Sequence, residues 1–331
     1  KGSGTPGKDI IGKVSMAQRI MTHAAHSIDL HISTEHEHIA DFQPIIDALG
    51  IGDHIQTMIG IEVSSPMKGH MNAYPLIPIE GQINLGAPDW WSGPGPTQEL
   101  VSRIQARFAE NAVLQANHPI GSSGLFTAAD YNLNTGVVDS PYYWSPDFVA
   151  MELINGGYGD YLPYYFDMVS RGKLVTPVGV SDSHTYSSGV GRDRTYAYAS
   201  NPSEVLTAIH AQQVVPSKGA YIHATIDEGF APGGTFVGVQ ELKVEVFAAS
   251  WVATDSLILM KNGEQIAEQE YQGEAVFFDL APEEDAHYSV IASSSQSMNP
   301  VYGGSPWAIT AALLIDLQGD GWQAPLPAIE E

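Results

Sequence analysis

Residues 173–195 read KLVTPVGVSDSHTYSSGVGRDRT. The apolar run KLVTPV has the composition of a buried strand. Asp182, Ser183 and His184 follow it at once. A turn at a strand end needs Gly, Asn or Asp and has no use for an imidazole beside a carboxylate. A metal ion does use such a pair. The fold reading therefore turns on whether other strands end in the same way.

Working outward, the rest of the first two hundred residues alternates strand and helix patterns. Residues 14–26 (VSMAQRIMTHAAH) have helical spacing, and SIDLHIST (27–34) reads as a strand. DFQPIIDALG is a helix stopped at Gly50, and HIQTMIGIEV (54–63) is the next strand. TQELVSRIQARFAEN (97–111) reads as a helix with Glu99 in its first turn. AVLQANHP and FVAMELIN (148–155) are strands, and LPYYFDMVSRG is a helix closed by Gly172. After the opening stretch, RTYAYA is a short strand and SEVLTAIHAQ a helix. This alternation predicts an α/β fold with a parallel sheet or barrel.

From about residue 220 the pattern changes. KVEVFAAS, SLILMKNGEQIAEQ, AVFFDL and AHYSVIASS alternate apolar and polar residues, and Lys261-Asn262-Gly263 is a hairpin signal. The expectation is a β/α domain over 1–218 and an antiparallel β-sandwich over 219–331. Trp251, Trp307 and Trp322 in the second part read as core or edge packing rather than a sugar platform.

The strand ends of the first part share a composition. After SIDLHIST come Glu35, His36, Glu37 and His38. Glu62 ends the next strand, and His70 follows shortly. His118 closes AVLQANHP, Asn155-Gly156-Gly157 follows AMELI, and Asp182 and His184 follow VTPVGV. In β/α folds the carboxyl ends of the strands converge on one face, where sites are built. Three or more histidines and two or more carboxylates would then meet, a ligand set for Zn, Mn or Fe. Two or three divalent metals with a bridging carboxylate, for which Glu62 is the candidate, would generate hydroxide at neutral pH. His23, His26, His54, His210, His223 and His287 have no matching neighbours and read as surface or satisfied core residues. His31 lies inside a strand and reads as structural; His38 is a ligand or a supporting residue.

Composition bounds the rest. The chain has 331 residues, 44% hydrophobic and 16% charged, so it is globular. A formal net charge of −24 argues against a nucleic-acid role, which needs a basic face. The absence of cysteine excludes disulfides, thiolate nucleophiles and Cys-type zinc sites. No apolar run reaches the ~18–20 residues of a membrane span. The opening KGSGTPGKD reads as a loop, which suggests a processed or truncated product. An acidic chain with a sandwich module and no cysteine suits a secreted or periplasmic location.

These motifs carry a resemblance. Thr34-Glu35-His36-Glu37-His38 resembles the Thr-Asp-His-Asn segment of PHP-type (polymerase and histidinol phosphatase) metallohydrolases. GIEVSS and GHMNAYPL (60–77), QANHP, ELING, RGKLVTPVGVSDSHT and GRDRTYAY resemble, in order, the CehA/McbA branch of that superfamily. AIHAQQVVPSKGAYI, ASWVATDSLILMKNGEQI and IDLQGDGWQAP extend the likeness over nearly the whole chain. The resemblance implies a distorted PHP-type β/α barrel, with His36 and His184 serving one metal. Glu62 would bridge the other two, His70 and His118 holding one and Asp182 the other. Glu62 and His184 would act in catalysis. Arg194 would contact the substrate or be structural.

Two departures stand out. The family's first-strand His-x-His pair is missing, and Glu35 replaces the usual Asp. A docked, cleaved N-terminal fragment of the same protein would supply the missing ligands. The implied activity is metal-dependent hydrolysis of a small-molecule phosphoester or carbamate-type ester. The alternative is a non-catalytic surface or assembly protein with a degenerate barrel. A weaker motif, Asp316 to Asp320 and Gly321, has the first half of a calcium loop but Pro327 at its twelfth position, and reads as a plain turn before a calcium site.

Overall fold

The computed structural model describes residues 14–93, 95–156, 159–185 and 190–330. The opening KGSGTPGKD and Gly157 lie outside the described residues.

Helix α1 (Met16–Ala25) opens on a capping box. The Ser15 hydroxyl accepts from the Gln18 N–H at 3.2 Å, and the Gln18 side-chain oxygen accepts from the Ser15 N–H at 3.0 Å. Strand β1 (Leu30–Ser33), helix α2 (Gln43–Leu49) and strand β2 (Gln56–Ile59) follow. β1 and β2 pair in parallel as a two-stranded ribbon.

The single strand expected over 54–63 is two strands. Gly60 separates β2 from β3 (Ile61–Ser65). A Cβ at Gly60 would lie 2.8 Å from the Ser33 carbonyl oxygen and 3.0 Å from that of Ala73. The backbone passes here between two neighbours with no room for a side chain, and it changes partner. β2 pairs with β1, whereas β3 forms a hairpin with β4 (Gly69–Leu76).

Helix α3 (Thr97–Gln105) is shorter than the expected helix over 97–111. Phe108 to Asn111 already belong to β5 (Phe108–Ala116), where Phe108 stands opposite Leu76. Cross-strand pairing overrides the helical pattern. Helix α4 (Leu125–Ala128), strand β6 (Ala150–Ile154), helix α5 (Leu162–Ser170) and strand β7 (Thr176–Gly179) come next. The sheet order is β3-β4-β5-β6-β7, antiparallel from β3 to β5 and parallel from β5 to β7.

Strand β8 (Asp193–Ala197), helix α6 (Val205–His210) and strand β9 (Val214–Lys218) lead into the C-terminal part. Its strands are β10 (Ala220–Ile226), β11 (Gly229–Phe230), β12 (Thr235–Val237), β13 (Gln240–Ala248), β14 (Ser256–Lys261), β15 (Glu264–Glu270), β16 (Val276–Leu280), β17 (Ala286–Ser293), β18 (Trp307–Ile309) and β19 (Leu313–Asp316). The expected hairpin joins β14 to β15, with Asn262 and Gly263 both at positive φ, as a tight two-residue turn requires. One sheet has the order β11-β10-β13-β16. The other runs β12-β19-β17-β18-β9-β8, with β14 on β17 and β15 on β14. Ile222, Val244 and Phe278 of the first sheet share a core with Leu257, Tyr288 and Val290 of the second, which is two-layer β packing.

The larger sheet crosses the boundary expected at 218/219, because β9 pairs with both β18 and β8. Ile291, Trp307 and Leu314 also enter the apolar core that covers the five-stranded sheet.

The protein is thus mixed α/β with several sheets. The expected β/α barrel is not closed among the described residues: no ladder joins β1 to β7, and the β3–β4–β5 meander turns part of the sheet antiparallel. Among the described residues no helix is long and apolar enough to cross a membrane.

Candidate metal centre

Glu62 is the centre of the site. It lies on β3, in a strand whose apolar neighbours Ile61 and Val63 are fully buried, and it is itself 1% exposed. A carboxylate taken this far from water needs cationic or hydrogen-bonding partners. Three imidazoles stand around it. His70 Nδ1 is 2.9 Å from Oε1, His118 Nε2 is 3.8 Å from Oε1, and His36 Nδ1 is 4.0 Å from Oε2.

Each imidazole is placed by main-chain structure. His70 sits on β4 next to β3, opposite Ser64. Its N–H donates to the Ser123 carbonyl at 2.9 Å, and its carbonyl accepts from Asn117 N–H at 3.0 Å. Those two bonds tie β4 to the 117–124 loop that carries His118. His36 reaches Glu62 because the β1–β2 ribbon is stitched to β3 by a parallel bridge between these two residues. The Glu62 N–H donates to the Glu35 carbonyl, and the Glu37 N–H donates to the Glu62 carbonyl, both at 3.0 Å. The His36 ring also meets the Ser64 hydroxyl through Nδ1.

Asp182 and His184 leave β7. The His184 Nδ1 donates to the Asp182 carbonyl at 2.9 Å, which fixes the ring beside Asp182. The His36 and His184 ring centroids are 6.0 Å apart, and those of His36 and His70 are 6.2 Å apart. His36 thus stands beside both Glu62 and His184, and Asp182 stands beside His184. The tightest group is Glu62, His70 and His118, whose ligand-type atoms all lie within 4.8 Å of one another. His36 and His184, with side chains 41% and 52% exposed, form the open side. His38 does not join the cluster contacts; its Nδ1 is buried with no partner among the described residues.

Three site or near-site residues hold positive φ: Glu37 (45°), His118 (25°) and Asp182 (40°). Non-glycine residues pay for this conformation, and it persists where surrounding contacts over-determine it. Here it turns His118 and Asp182 sharply off their strand ends.

Two residues of the site were not foreseen. Glu152, on β6, is 1% exposed, and its Oε1 has no partner among the described residues. Burial is the largest cause pushing its carboxyl up to about 7; the Asp182 charge adds to this, while His118 and a hydrogen bond from Asn155 oppose it. Asn155 also donates Nδ2–H to Asp182 Oδ2 at 3.3 Å, so one amide links both carboxylates. The signal in the sequence was a single acidic residue inside the apolar run AMELI. The second residue is Arg19 on α1, 1% exposed. Its Nη2 donates to the carbonyls of Ser183 and Thr185, both at 3.2 Å, and so clamps the chain on either side of His184.

Arg194 lines the cavity and is held there by main-chain carbonyls. Its Nε donates to the Gly191 carbonyl at 2.8 Å, and its Nη1 to the Ser27 carbonyl at 3.4 Å. The calcium candidate resolves as a turn. Asp316 accepts from Gly319 N–H at 2.7 Å through Oδ1 and from Gly321 N–H at 2.8 Å through Oδ2, while Asp320 is exposed.

A cavity of about 660 Å³ opens beside the cluster. Glu62, His118, Glu152 and Asp182 line it, as do Asn72 and Asn117. The donor set is oxygen and nitrogen only, and a buried carboxylate faces several imidazoles. Glu62, His70 and His118 form a group that could hold a metal ion. Comparison of the chain with protein-family models, with curated proteins and with solved structures returns no match. The chemistry rests on the side chains themselves.

Proposed function

We propose that the protein is a metal-dependent hydrolase acting on a phosphoester or carbamate-type ester. The observation that carries this reading is the buried Glu62 carboxylate with His70 and His118 inside one 4.8 Å group. The bound metals would supply an activated water at neutral pH and a Lewis acid for the ester oxygen. His70 and His118 would hold one cation with Glu62, and His36, His184 and Asp182 would serve a further position on the open side. Asn155 orients Asp182, and Arg19 orients His184. Asn72 and Asn117 offer polar groups to the substrate from the cavity wall.

The matching fold reading is a PHP-type barrel left open between β1 and β7. Leu30, His31 and Ile32 of β1, and residues 178–183 at β7, line the cavity consecutively. Both segments border the cavity, and on the β7 side the Gly179 N–H and carbonyl pair with the Thr195 hydroxyl, each at 2.9 Å. An added strand, such as a docked fragment carrying a His-x-His pair, would fit between them.

The test is metal content by inductively coupled plasma mass spectrometry on native protein, paired with hydrolysis of p-nitrophenyl phosphate and p-nitrophenyl N-methylcarbamate. One or more equivalents of metal and turnover lost in Glu62→Gln are expected. Protein that binds no divalent metal and turns over neither ester would leave the non-catalytic surface or assembly role.

A further inference from the structure

We propose that Arg19, with His23 and His31, forms an anion-binding subsite on the wall of the same cavity, separate from the metal ligands. All three line the cavity and all three are buried, at 1%, 8% and 6% exposure. Arg19 and His23 are one turn apart on α1, and the His23 Nδ1–H donates to the Arg19 carbonyl at 3.1 Å. His31 comes from β1, and its ring centroid lies 4.8 Å from that of His23.

The argument starts from valence. A guanidinium stays charged in a protein interior and carries donors on all three nitrogens. Arg19 spends Nη2 on the Ser183 and Thr185 carbonyls, but its Nε and Nη1 have no acceptor among the described residues. Buried donors left unmade are costly, and those of a charged group most of all. The field of Glu35 acts on Arg19 and offsets part of its charge. It does not supply the missing acceptors. Burial holds both neighbouring rings neutral, His23 down to about 3 and His31 well below the ordinary histidine range. Arg19 therefore provides the fixed positive charge of this wall, and the rings provide polar edges beside it. An oxyanion, either a carboxylate or a phosphate, is the group whose acceptors and charge complete this arrangement.

Two sources share that chemistry: free inorganic phosphate, and a second acidic group on the hydrolysable ester. For a substrate held at the metals by its scissile group, the second case selects esters that carry another acid function. The subsite itself does not depend on hydrolysis.

The test uses the full chain stripped of metal with EDTA, so that phosphate cannot report on bound cations. Isothermal titration calorimetry with inorganic phosphate should show saturable binding, at least about tenfold weaker in Arg19→Gln and partly restored in Arg19→Lys. Equal affinity in wild type and Arg19→Gln, or no binding to wild type, overturns the subsite. If Arg19→Gln fails to fold, wild-type crystals soaked in selenate decide the matter. An anomalous peak against Arg19 supports the subsite, and peaks elsewhere only, or none, overturn it. In metal-loaded enzyme, esters with and without a second carboxylate separate the two sources. A KM advantage for the acidic ester that disappears in Arg19→Gln assigns the subsite to substrate, and equal KM values assign it to free phosphate. Phosphate binding that survives in a protein with no metal affinity would sink the hydrolase reading and leave this one standing.

Discussion

Two acidic positions at strand ends, Glu62 and Asp316, look alike in sequence and differ in what their oxygens do. Both are buried. Asp316 gives each oxygen to a backbone N–H of the turn that follows it, so the chain itself consumes the carboxylate. Glu62 faces imidazoles from three other segments, brought in by β4, by the 117–124 loop and by the bridge to His36. A carboxylate is a ligand candidate when groups that can themselves bind metal surround it, and a turn former when local N–H groups reach it first. Residue type and burial do not separate the two cases; the partners do.

The strongest way to break this contrast is Glu62→Gln. It should weaken divalent metal binding by at least about a hundredfold, more than the loss of an orienting partner costs, measured by calorimetry against Zn²⁺ and Mn²⁺. Full metal affinity in that variant would end the comparison. Asp316→Ala should leave metal affinity untouched and lower unfolding free energy by about 2 kcal/mol, since two backbone donors lose their acceptor. Added calcium should leave the melting temperature of wild type unchanged.

A third test separates imidazoles that face a carboxylate from one that faces a carbonyl. Burial, the largest cause, with the Arg19 charge adding to it, lowers His23 to about 3 in the fold, against an ordinary value of 6.5. The unfolded chain therefore takes up a proton that the folded state refuses between those values. Stability is complete above about pH 6.5 and falls as pH drops towards 3, by about 1.4 kcal/mol per pH unit for this one group. Denaturant titrations of metal-free protein between pH 6 and pH 4 should show a slope of at least that size, since His31 is lowered too, and His23→Gln should reduce it by one proton's worth. The smallest effect expected is that of Asn155→Ala. Asp182 and Glu152 lose their shared amide donor, and metal affinity should fall by about tenfold with no change in melting temperature beyond about 2 °C.

Much of this was legible in the chain. Apolar runs ended by His, Glu or Asp located His36, Glu62, His70, His118, Asp182 and His184, because a strand end is set by local composition. The Asn262-Gly263 turn was readable for the same reason. What could not be read depends on partners distant in sequence. The change of neighbour at Gly60 is imposed by the carbonyls of Ser33 and Ala73, and the early end of α3 by the pairing of Phe108 with Leu76. Nothing near residue 30 says that β1 lacks a ladder to β7, so alternation suggested one parallel sheet or barrel where the strands divide among sheets. Glu152 and Arg19 were hidden by their surroundings. A charge inside an apolar strand or on the inner face of a helix leaves only a one-residue interruption in the pattern.

The ladder from β8 and β9 into β18 bears on how the protein can be cut. Residue 218 is no seam. A gene fragment ending there would strip β9 of its neighbour and uncover the surface that Trp307 and Leu314 close, while a fragment beginning at 219 would carry a raw sheet edge of its own. Each half expressed singly should be insoluble, and the two co-expressed should reassemble into one soluble particle. Any transplant of the N-terminal half onto another scaffold would have to bring the C-terminal half along as its cover.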